Sequence, residues 1–279
     1  MNRKPLKRLV REALREDIRK GDITTRLTVA PASRCRAILR AKSDGVLSGM
    51  APFRMVFNVL RAGAKNWEAK PDGAAFRTGE VLAEFSGRTR ATLTGERTAL
   101  NFVQHLSGIA SQTARFVQAV EGLDVVITDT RKTMPLFRAL EKAAVLHGGG
   151  TNHRHGLYDA VLIKDNHIQA AGGIEEALSC IKGNTPPGMK VEIEVTNLRQ
   201  CDQAAALDVD VIMLDNMGLD DMRQATEKHH GNGVLFEASG NVTLDNVKGI
   251  AETGVDLISV GALTHSAPAA DLSLRIEQA

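Results

Sequence analysis

Cysteine is scarce in this chain, and its spacing excludes two kinds of site. The 279 residues contain three cysteines, Cys35, Cys180 and Cys201, with no C-x-x-C pair among them. A disulfide framework and a thiolate zinc site are therefore not expected, and this cysteine usage is typical of proteins of the reducing cytoplasm. We expect a cytoplasmic protein.

The chain also lacks the long apolar segments of membrane-spanning and exported proteins. No run approaches the ~20 apolar residues of a membrane span. The basic start, MNRKPLKRLVREALREDIRKGD, has no continuous apolar core of the kind that signal peptides carry. Its apolar residues follow helical spacing instead, which predicts an amphipathic surface helix.

An excess of one charge is missing as well. The chain has 35 Lys and Arg against 33 Asp and Glu, for a net charge of +2. That balance does not indicate binding to nucleic acid or to a membrane surface, so any strongly positive site has to be local. The length allows either a full α/β barrel or two smaller domains.

Residues 1–107 differ in pattern from the rest of the chain. After the first helix, RAILRAKSDGVLSGM predicts two strands joined by a turn at Asp44-Gly45, and GEVLAEFSGRTRATL predicts a further β-rich stretch. From Leu93 the pattern becomes helical. We therefore expect a separate domain over residues 1–107, followed by a second domain over residues 108–265.

From Asp124 onward the pattern alternates between strands and helices. Short apolar runs stand at 125–128, 160–163, 191–195, 211–214, 234–236 and 257–260. The last four ends are spaced by roughly 20 residues, about the length of one compact βα unit. This rhythm favours an α/β barrel, although a doubly wound open sheet would give a similar string.

Polar residues follow almost every one of these runs. In an α/β barrel the carboxyl ends of the strands converge on one mouth, where catalytic residues lie. The run VEIEV adds carboxylates: Glu192 and Glu194 share one strand face, and we expect both to point inward towards cations. The alternative is an edge strand with both glutamates in water.

The predicted site has three parts. One part is cationic, the second is a carboxylate pair able to hold Mg²⁺ directly or through water or phosphate oxygens, and the third is a phosphate cradle of backbone N–H groups. The cationic residues are Arg97, Arg131, Lys132, His153, Arg154 and Lys164, the carboxylates Glu194 and Asp215, and the cradle Ser239, Gly240 and Gly261.

The stretch GGGTNHRHGLYDAVLIKDNH raises its own question, because it combines three glycines at 148–150 with clustered cations. Glycine costs backbone entropy and like charges repel, so we expect a bound polyanion to hold it together. His153 and His155 form an H-x-H pattern, but Arg154 between them disfavours zinc. For His147 and His155 we expect ordinary surface or hydrogen-bonded histidines.

Seven motifs in order give the chain a family resemblance. TGERTALNFVQHLSGIA, DTRKT-x-P, GGG-x-NHR-x-GL-x-D-x-x-LIKDNH, VEIEV, LDNM, EASG and ISVGALTHS resemble the quinolinate phosphoribosyltransferases, from about Gly21 to the C-terminus. The resemblance implies Mg²⁺-dependent transfer of phosphoribose from 5-phosphoribosyl 1-pyrophosphate (PRPP) to quinolinate. The products would be nicotinate mononucleotide, pyrophosphate and CO₂, in de novo NAD synthesis.

The same resemblance implies the architecture and the roles of the site residues. The fold would be an N-terminal α/β sandwich, onto which residues 266–279 could pack back, plus an open, incomplete α/β barrel. The enzyme would be a homodimer in which Arg97 reaches the neighbouring site. The implied catalytic residues are Lys132, Lys164, Glu194 and Asp215. All three parts of the predicted site would bind substrate, with Glu194 and Asp215 nearest Mg²⁺-pyrophosphate and the cradle at the 5-phosphate.

Three positions depart from the family pattern. Leu136 stands where glycine is usual, Ala143 replaces a tyrosine, and Asn241 replaces a glycine. Asn241 can still adopt positive φ. If position 136 needs φ > 0, leucine is expected to force another loop shape near Arg138, without loss of activity.

Three other functions compete with this interpretation. One is a paralogue of the same fold associated with molybdenum transport, which is expected to lack the NHR and LIKDNH pattern kept here. Another is a nicotinate phosphoribosyltransferase without decarboxylation, which needs fewer cations. The third is a non-catalytic phosphate-binding barrel, which does not need the Glu194 and Asp215 pair.

Overall fold

The computed structural model describes residues 3–229 and 231–278; Met1, Asn2, His230 and Ala279 lie outside it. The first half contains α1 (Arg3–Ile18), α2 (Ile23–Thr28), β1 (Arg34–Ala41), β2 (Gly45–Val46), α3 (Met50–Val59), β3 (Lys65–Ala69), β4 (Ala75–Phe76), β5 (Val81–Arg88), α4 (Thr89–Ala119), β6 (Val126–Thr128) and α5 (Arg138–His147). The second half contains β7 (Val161–Ile163), α6 (Asp165–Ala171), α7 (Ile174–Ile181), β8 (Val191–Val195), α8 (Leu198–Ala205), β9 (Val211–Asp215), α9 (Leu219–His229), β10 (Leu235–Ser239), α10 (Val247–Ala251), β11 (Leu257–Ser259), α11 (Ala262–His265) and β12 (Leu272–Gln278).

The chain forms two compact units. The first unit comprises Met1–Ala114, Pro135–Gly149 and Ala267–Ala279, and the second comprises Arg115–Met134 and Gly150–Ser266. The boundary expected between residues 107 and 108 falls inside α4. Both units mix helices with strands, so the predicted class, an N-terminal α/β sandwich and an open α/β barrel, is confirmed.

The first unit is built on a four-stranded antiparallel sheet in the order β12-β1-β5-β3. The last strand of the chain pairs with the first, from Cys35 opposite Gln278 to Ala41 opposite Leu272. Phe85 of β5 packs against Phe57 of α3, with ring centroids 4.7 Å apart. These contacts give the unit an aromatic core of its own, although only 4% of the residues are aromatic.

Helix α1 is amphipathic, as its spacing predicts. Leu6, Val10 and Leu14 recur every four residues and are buried, while most residues between them are exposed. The next helix begins at Asp22, whose Oδ1 accepts the backbone N–H of Thr25 at 2.9 Å. Asp22 Oδ2 also accepts the hydroxyl of Thr94 at 3.0 Å. Asp22 therefore fixes the start of α2 against α4.

Gly148 is explained by packing and not by an anion. A Cβ at this position would lie 2.3 Å from the carbonyl oxygen of Ala110 and 2.6 Å from Cβ of Thr113. Only glycine lets the end of α5 approach α4 this closely. His147 beside it is half-buried, and its Nδ1 lies 2.8 Å from the hydroxyl of Ser48, as expected of a satisfied histidine. The expectation that a polyanion holds the whole glycine triplet is wrong at Gly148.

Leu136 keeps the conformation that favours glycine. Its φ is +67° and its side chain is 89% exposed. The expected change of loop shape is therefore wrong: the backbone stays left-handed, with the leucine side chain in solvent. Asn241 has φ +49°, which confirms the conformation expected there.

The second unit is built on a six-stranded parallel sheet in the order β6-β11-β10-β9-β8-β7. From β7 to β11 each strand lies next to its successor, and β6 then pairs with β11. A doubly wound sheet would reverse its strand order at a switch point, which this sheet does not do. Between β6 and β7 the described residues form a single bridge, Thr128 to Thr151. The sheet is thus a barrel that remains open on one side.

No helix in the ranges 3–229 and 231–278 is both long enough and apolar enough to cross a membrane.

We predict that Asp22→Ala lowers the free energy of unfolding by ~1 kcal/mol at pH 7, because α2 loses its N-cap. The hydrogen bonds from Thr25 and Thr94 hold the pKa of Asp22 below its ordinary value, although burial opposes them. This stabilisation is present above the unfolded-state pKa and disappears as the pH falls through the lower folded-state pKa. Urea unfolding at pH 7 and at acid pH tests it, with Asp22→Asn as the cap-retaining control.

We predict that Leu136→Gly stabilises the protein by roughly 0.5–1 kcal/mol, since relief of the left-handed leucine outweighs the added freedom of the unfolded chain. Catalytic activity should change by less than tenfold. Leu157→Gly is the matched control, because Leu157 is also exposed (75%) and is not among the residues with positive φ. A tenfold gain in activity, or equal stability changes in both variants, would contradict this account.

Candidate active site

A cavity of about 550 Å³ lies at the carboxyl ends of the strands in the second unit. Its wall includes residues from every strand of the sheet or from the segment that follows the strand. Of the predicted site residues, the cavity brings together Arg131, Lys132, His153, Arg154, Lys164, Glu194, Asp215, Ser239 and Gly240. Four of these are arginine or lysine, so the cavity suits a ligand with several negative charges.

Two predicted residues are not in this wall. Gly261 follows β11, and a Cβ there would lie 3.0 Å from Cδ of Lys132 and 3.2 Å from Nε2 of His265. Gly261 therefore leaves room for the lysine stem beside the cavity. Arg97 is exposed on α4 and belongs to the first unit.

Two hydrogen bonds hold the main chain of Lys132 in place. Its N–H donates to the hydroxyl of Thr130 at 3.0 Å, and its carbonyl oxygen accepts the hydroxyl of Thr264 at 2.8 Å. Thr130 follows β6, and Thr264 lies in the short helix α11 after β11. Neighbouring strands thus fix the main chain of Lys132 while its side chain remains directed into the cavity.

Lys164 and Glu194 form an ion pair inside the cavity. Nζ of Lys164 donates to Oε2 of Glu194 at 2.6 Å; the lysine side chain is 45% exposed and the glutamate side chain 10%. The expected inward direction of Glu194 is confirmed. Glu194 thus holds the ammonium group of Lys164 in the cavity. An incoming anion could replace Glu194 as the negative partner of the lysine.

The other glutamate of VEIEV also points inward. Oε2 of Glu192 lies 2.9 Å from Nε2 of His153, and Oε2 of Glu237, on β10, lies 3.5 Å from the same nitrogen. The exposed fractions of Glu192 and Glu237 are only 5% and 1%. His153 is also bound through its backbone N–H, which donates to Oδ1 of Asp129 at 3.0 Å. We call His153, Glu192 and Glu237 the buried cluster.

The glutamates of the buried cluster shift the pKa of His153. Burial alone lowers the pKa of His153, but the hydrogen bonds and negative charges of Glu192 and Glu237 outweigh it and raise the pKa to about 10. Burial likewise raises the pKa of Glu192, against the influence of His153. The backbone N–H of Arg154 donates to Nδ1 of His153 at 2.8 Å, so that nitrogen already accepts a hydrogen bond. Nε2 of His153 therefore carries the N–H that faces the two glutamates.

Beside the cationic wall lies a turn suited to an anion. Asn216, Gly240 and Asn241 all have positive φ. A Cβ on Gly240 would lie 2.3 Å from Oδ1 of Asn216, so only glycine fits. Nδ2 of Asn241 donates to the same Oδ1 at 2.9 Å, and Nδ2 of Asn216 donates to Asp215 at 3.1 Å. Turns of this kind direct backbone N–H groups towards anions.

Two groups of side chains have oxygen donors for a cation. Glu194 and Asp215 both border the cavity, and carboxylates that share a cation with phosphate oxygens are what Mg²⁺ usually binds. In the buried cluster, one ligand atom from each residue lies within 4.8 Å of the others. There the contact of 2.9 Å between His153 and Glu192 is that of a hydrogen bond, and Arg154 adjoins Glu192, so we assign it a proton and not a metal.

The sequence-based site omitted Glu237, Glu192 and Asn216. Glu237 opens the EASG motif, and its place at a strand end was the available signal. Glu192 was expected to face inward but was not assigned a role. Its partner, His153, lies in an irregular loop whose path no residue spacing predicts.

Comparisons with known proteins agree with this geometry. Residues 109–275 match the family model of the quinolinate phosphoribosyl transferase C-terminal domain, and residues 22–107 match that of the N-terminal domain. The chain is 41% identical over 278 residues to the "probable nicotinate-nucleotide pyrophosphorylase [carboxylating]" of Bacillus subtilis, covering 99% of this chain and 95% of the relative. It is 43% identical to the similarly described protein of Synechocystis, covering 94% and 90%.

Solved structures give the same result for the fold. The nicotinate-nucleotide pyrophosphorylase from Francisella tularensis superposes with a TM-score of 0.94 at 41% identity, covering 99% of this chain and 98% of that one. The match to both family models spans nearly the whole chain, including every predicted site residue. The chain therefore belongs to the quinolinate phosphoribosyltransferase family.

Proposed function

We propose that this protein transfers the phosphoribosyl group of PRPP to the ring nitrogen of quinolinate and releases pyrophosphate, CO₂ and nicotinate mononucleotide. The observation that carries the proposal is one cavity that joins four arginine and lysine side chains, three carboxylates and a turn suited to an anion. Quinolinate brings two carboxylates, and PRPP brings a phosphate and a pyrophosphate. Relatives over the full length bear the names nicotinate-nucleotide pyrophosphorylase and quinolinate phosphoribosyltransferase.

The two carboxylates of quinolinate fit the cationic wall. We assign them to Arg131, Lys132, Arg154 and Lys164, with His153 at the base of the same wall. A pyridine nitrogen is unprotonated at neutral pH, so the site needs no general base. The protein contributes by orienting that nitrogen towards the ribose carbon and by stabilising the charge of the departing pyrophosphate.

The loss of CO₂ follows from the first step. Once the ring nitrogen is alkylated it carries a positive charge. When the adjacent carboxylate departs as CO₂, the electron pair of the broken bond stays on the ring carbon, where the positive nitrogen stabilises it until a proton is taken up. The cations that bind quinolinate therefore act by holding and orienting it, and the alkylated nitrogen itself stabilises the carbanion.

The phosphoribosyl donor fits the turn after β10 together with Glu194 and Asp215. We place the 5-phosphate at Ser239 and Gly240, where the turn after β10 has positive φ, with Gly261 making room nearby. Glu194 and Asp215 would bind the ribose hydroxyls and a Mg²⁺ ion carried by the pyrophosphate. When bound, that ion neutralises charge on the leaving group.

We also propose that the active protein is a homodimer with shared sites. Arg97 is exposed on α4 and is absent from the residues that line the cavity of its own chain. The family resemblance gives the corresponding arginine to the neighbouring site. Arg97 of each chain would then add a further cation for quinolinate in the site of the partner.

The reaction can be tested by following nicotinate mononucleotide and CO₂ together from quinolinate and PRPP. We expect both products in equal amounts with Mg²⁺, loss of both with EDTA, and recovery when Mg²⁺ is restored. Lys132→Ala should reduce kcat/KM by at least ~100-fold, because a charged partner of the substrate is lost. Product without CO₂, or no product from the wild-type protein, would overturn the proposed reaction.

Shared sites can be tested by mixing two inactive variants. Each site would take Lys164 from its own chain and Arg97 from the partner chain. A dimer of one Arg97→Ala chain and one Lys164→Ala chain therefore has one site with both defects and one intact site. Random exchange of subunits should restore about a quarter of wild-type activity, since about half of the dimers are mixed. Mixing Lys132→Ala with Lys164→Ala is the matched control and should restore nothing. Restoration in neither mixture would contradict sharing.

A further inference from the structure

The buried cluster lies where an α/β barrel usually places apolar side chains. Barrel interiors are filled mainly by branched residues, and an ionised carboxylate there is costly unless it is paired. Glu192 and Glu237 come from β8 and β10, on either side of β9. Among the described residues, Oε1 of each glutamate is buried and has no hydrogen-bond partner. Burying two glutamates inside the barrel does not favour folding, so their presence there needs a functional explanation.

Both glutamates converge on a single atom, Nε2 of His153. The distances are 2.9 Å from Glu192 and 3.5 Å from Glu237. The loop that carries His153 connects α5 to β7, on the open side of the barrel, where the sheet supplies one bridge. Since that loop has no strand neighbour beyond the bridge, side chains have to fix it in place.

His153 passes this constraint to Arg154. Nδ1 of His153 accepts the backbone N–H of Arg154 at 2.8 Å, so a tilt of the imidazole would release the Arg154 peptide. Nη1 of Arg154 donates to the carbonyl oxygen of Ala160 at 3.3 Å, which sets the course of its side chain. Arg154 borders the large cavity and also a smaller one of about 230 Å³. Space next to it would allow it to move if its anchor were lost.

We propose that Glu192 and Glu237 are positioning residues for quinolinate: they hold Nε2–H of His153, and His153 in turn fixes the main chain of Arg154. This inference rests on the proposed function, because it assumes that Arg154 binds a quinolinate carboxylate. In the proposed function PRPP is held by Ser239, Gly240, Glu194 and Asp215, none of which takes part in this chain of contacts. The effect should therefore fall on quinolinate and spare the donor.

Other charged groups lie near the cluster and have contacts of their own. Asp129 accepts the backbone N–H of His153, and Glu194 is paired with Lys164. Arg131 and Arg154 are cations and cannot accept a proton from Nε2. Lys190 borders the smaller cavity and is likewise a donor.

The test compares truncation with a substitution that keeps the acceptor. Glu192→Ala and Glu237→Ala should each raise KM for quinolinate at least tenfold, with kcat within threefold of wild type and KM for PRPP within twofold. Glu192→Gln keeps an oxygen that accepts Nε2–H and should return KM for quinolinate to within threefold of wild type. Val211→Ala is the matched control, because Val211 lies opposite Glu192 in the neighbouring strand and lines the same smaller cavity.

The outcomes separate positioning from mere stability. Thermal unfolding is measured for all four variants, and Val211→Ala should lower the melting temperature without moving KM for quinolinate. The proposal is overturned if Glu192→Gln behaves like Glu192→Ala, if both KM values and kcat change together, or if the alanine variants match wild type. A wild-type protein that forms no nicotinate mononucleotide would instead refute the proposed function, so the two failures are distinguishable.

Discussion

Four cations share one cavity of the second unit, and buried carboxylates make that arrangement stable before any ligand binds. Like charges held near one another repel, so cations brought into one cavity need negative partners. Glu194 neutralises Lys164, and Glu192 attracts Arg154. The two glutamates of the strand VEIEV therefore offset the positive charge of Lys164 and Arg154 from inside the barrel.

The same constraint bears on substrate binding in the proposed reaction. A substrate with two carboxylates would replace repulsion among cations with attraction, and Lys164 would exchange Glu194 for the new partner. The chemistry that follows needs orientation and charge stabilisation, which preorganised ion pairs supply without proton transfer from the protein. In the proposed function, the turn after β10 would bind the phosphate in the same way, because Asn216 and Gly240 hold it in a conformation with positive φ.

The sequence predicted those features that follow from local pattern. The apolar runs marked the strands of the barrel, and the alternation in VEIEV was enough to direct Glu192 and Glu194 inward. Strand-end residues such as Lys132 and Asp215 were found because parallel strands bring their carboxyl ends to one mouth. Asn241 was predicted correctly because asparagine tolerates positive φ.

What the sequence did not reveal depends on contacts distant along the chain. Gly148 was attributed to an anion because its close approach to Ala110 depends on how two helices pack. The segment Pro135–Gly149 belongs to the first unit although it interrupts the second, which no local composition signals. The partnership of His153 with Glu237 joins residues 84 positions apart through an irregular loop. At Leu136 the residue type was misleading: leucine disfavours positive φ, yet the backbone adopts it there.

The most direct measurement of the central claim is calorimetric titration of the protein with quinolinate and, separately, with nicotinate. Nicotinate keeps the pyridine ring but lacks the second carboxylate. If the cationic wall is built for two carboxylates, quinolinate should bind at least ~10-fold more tightly, because one charged contact is worth ~1.5–3 kcal/mol. Equal affinity for the two ligands would contradict the account.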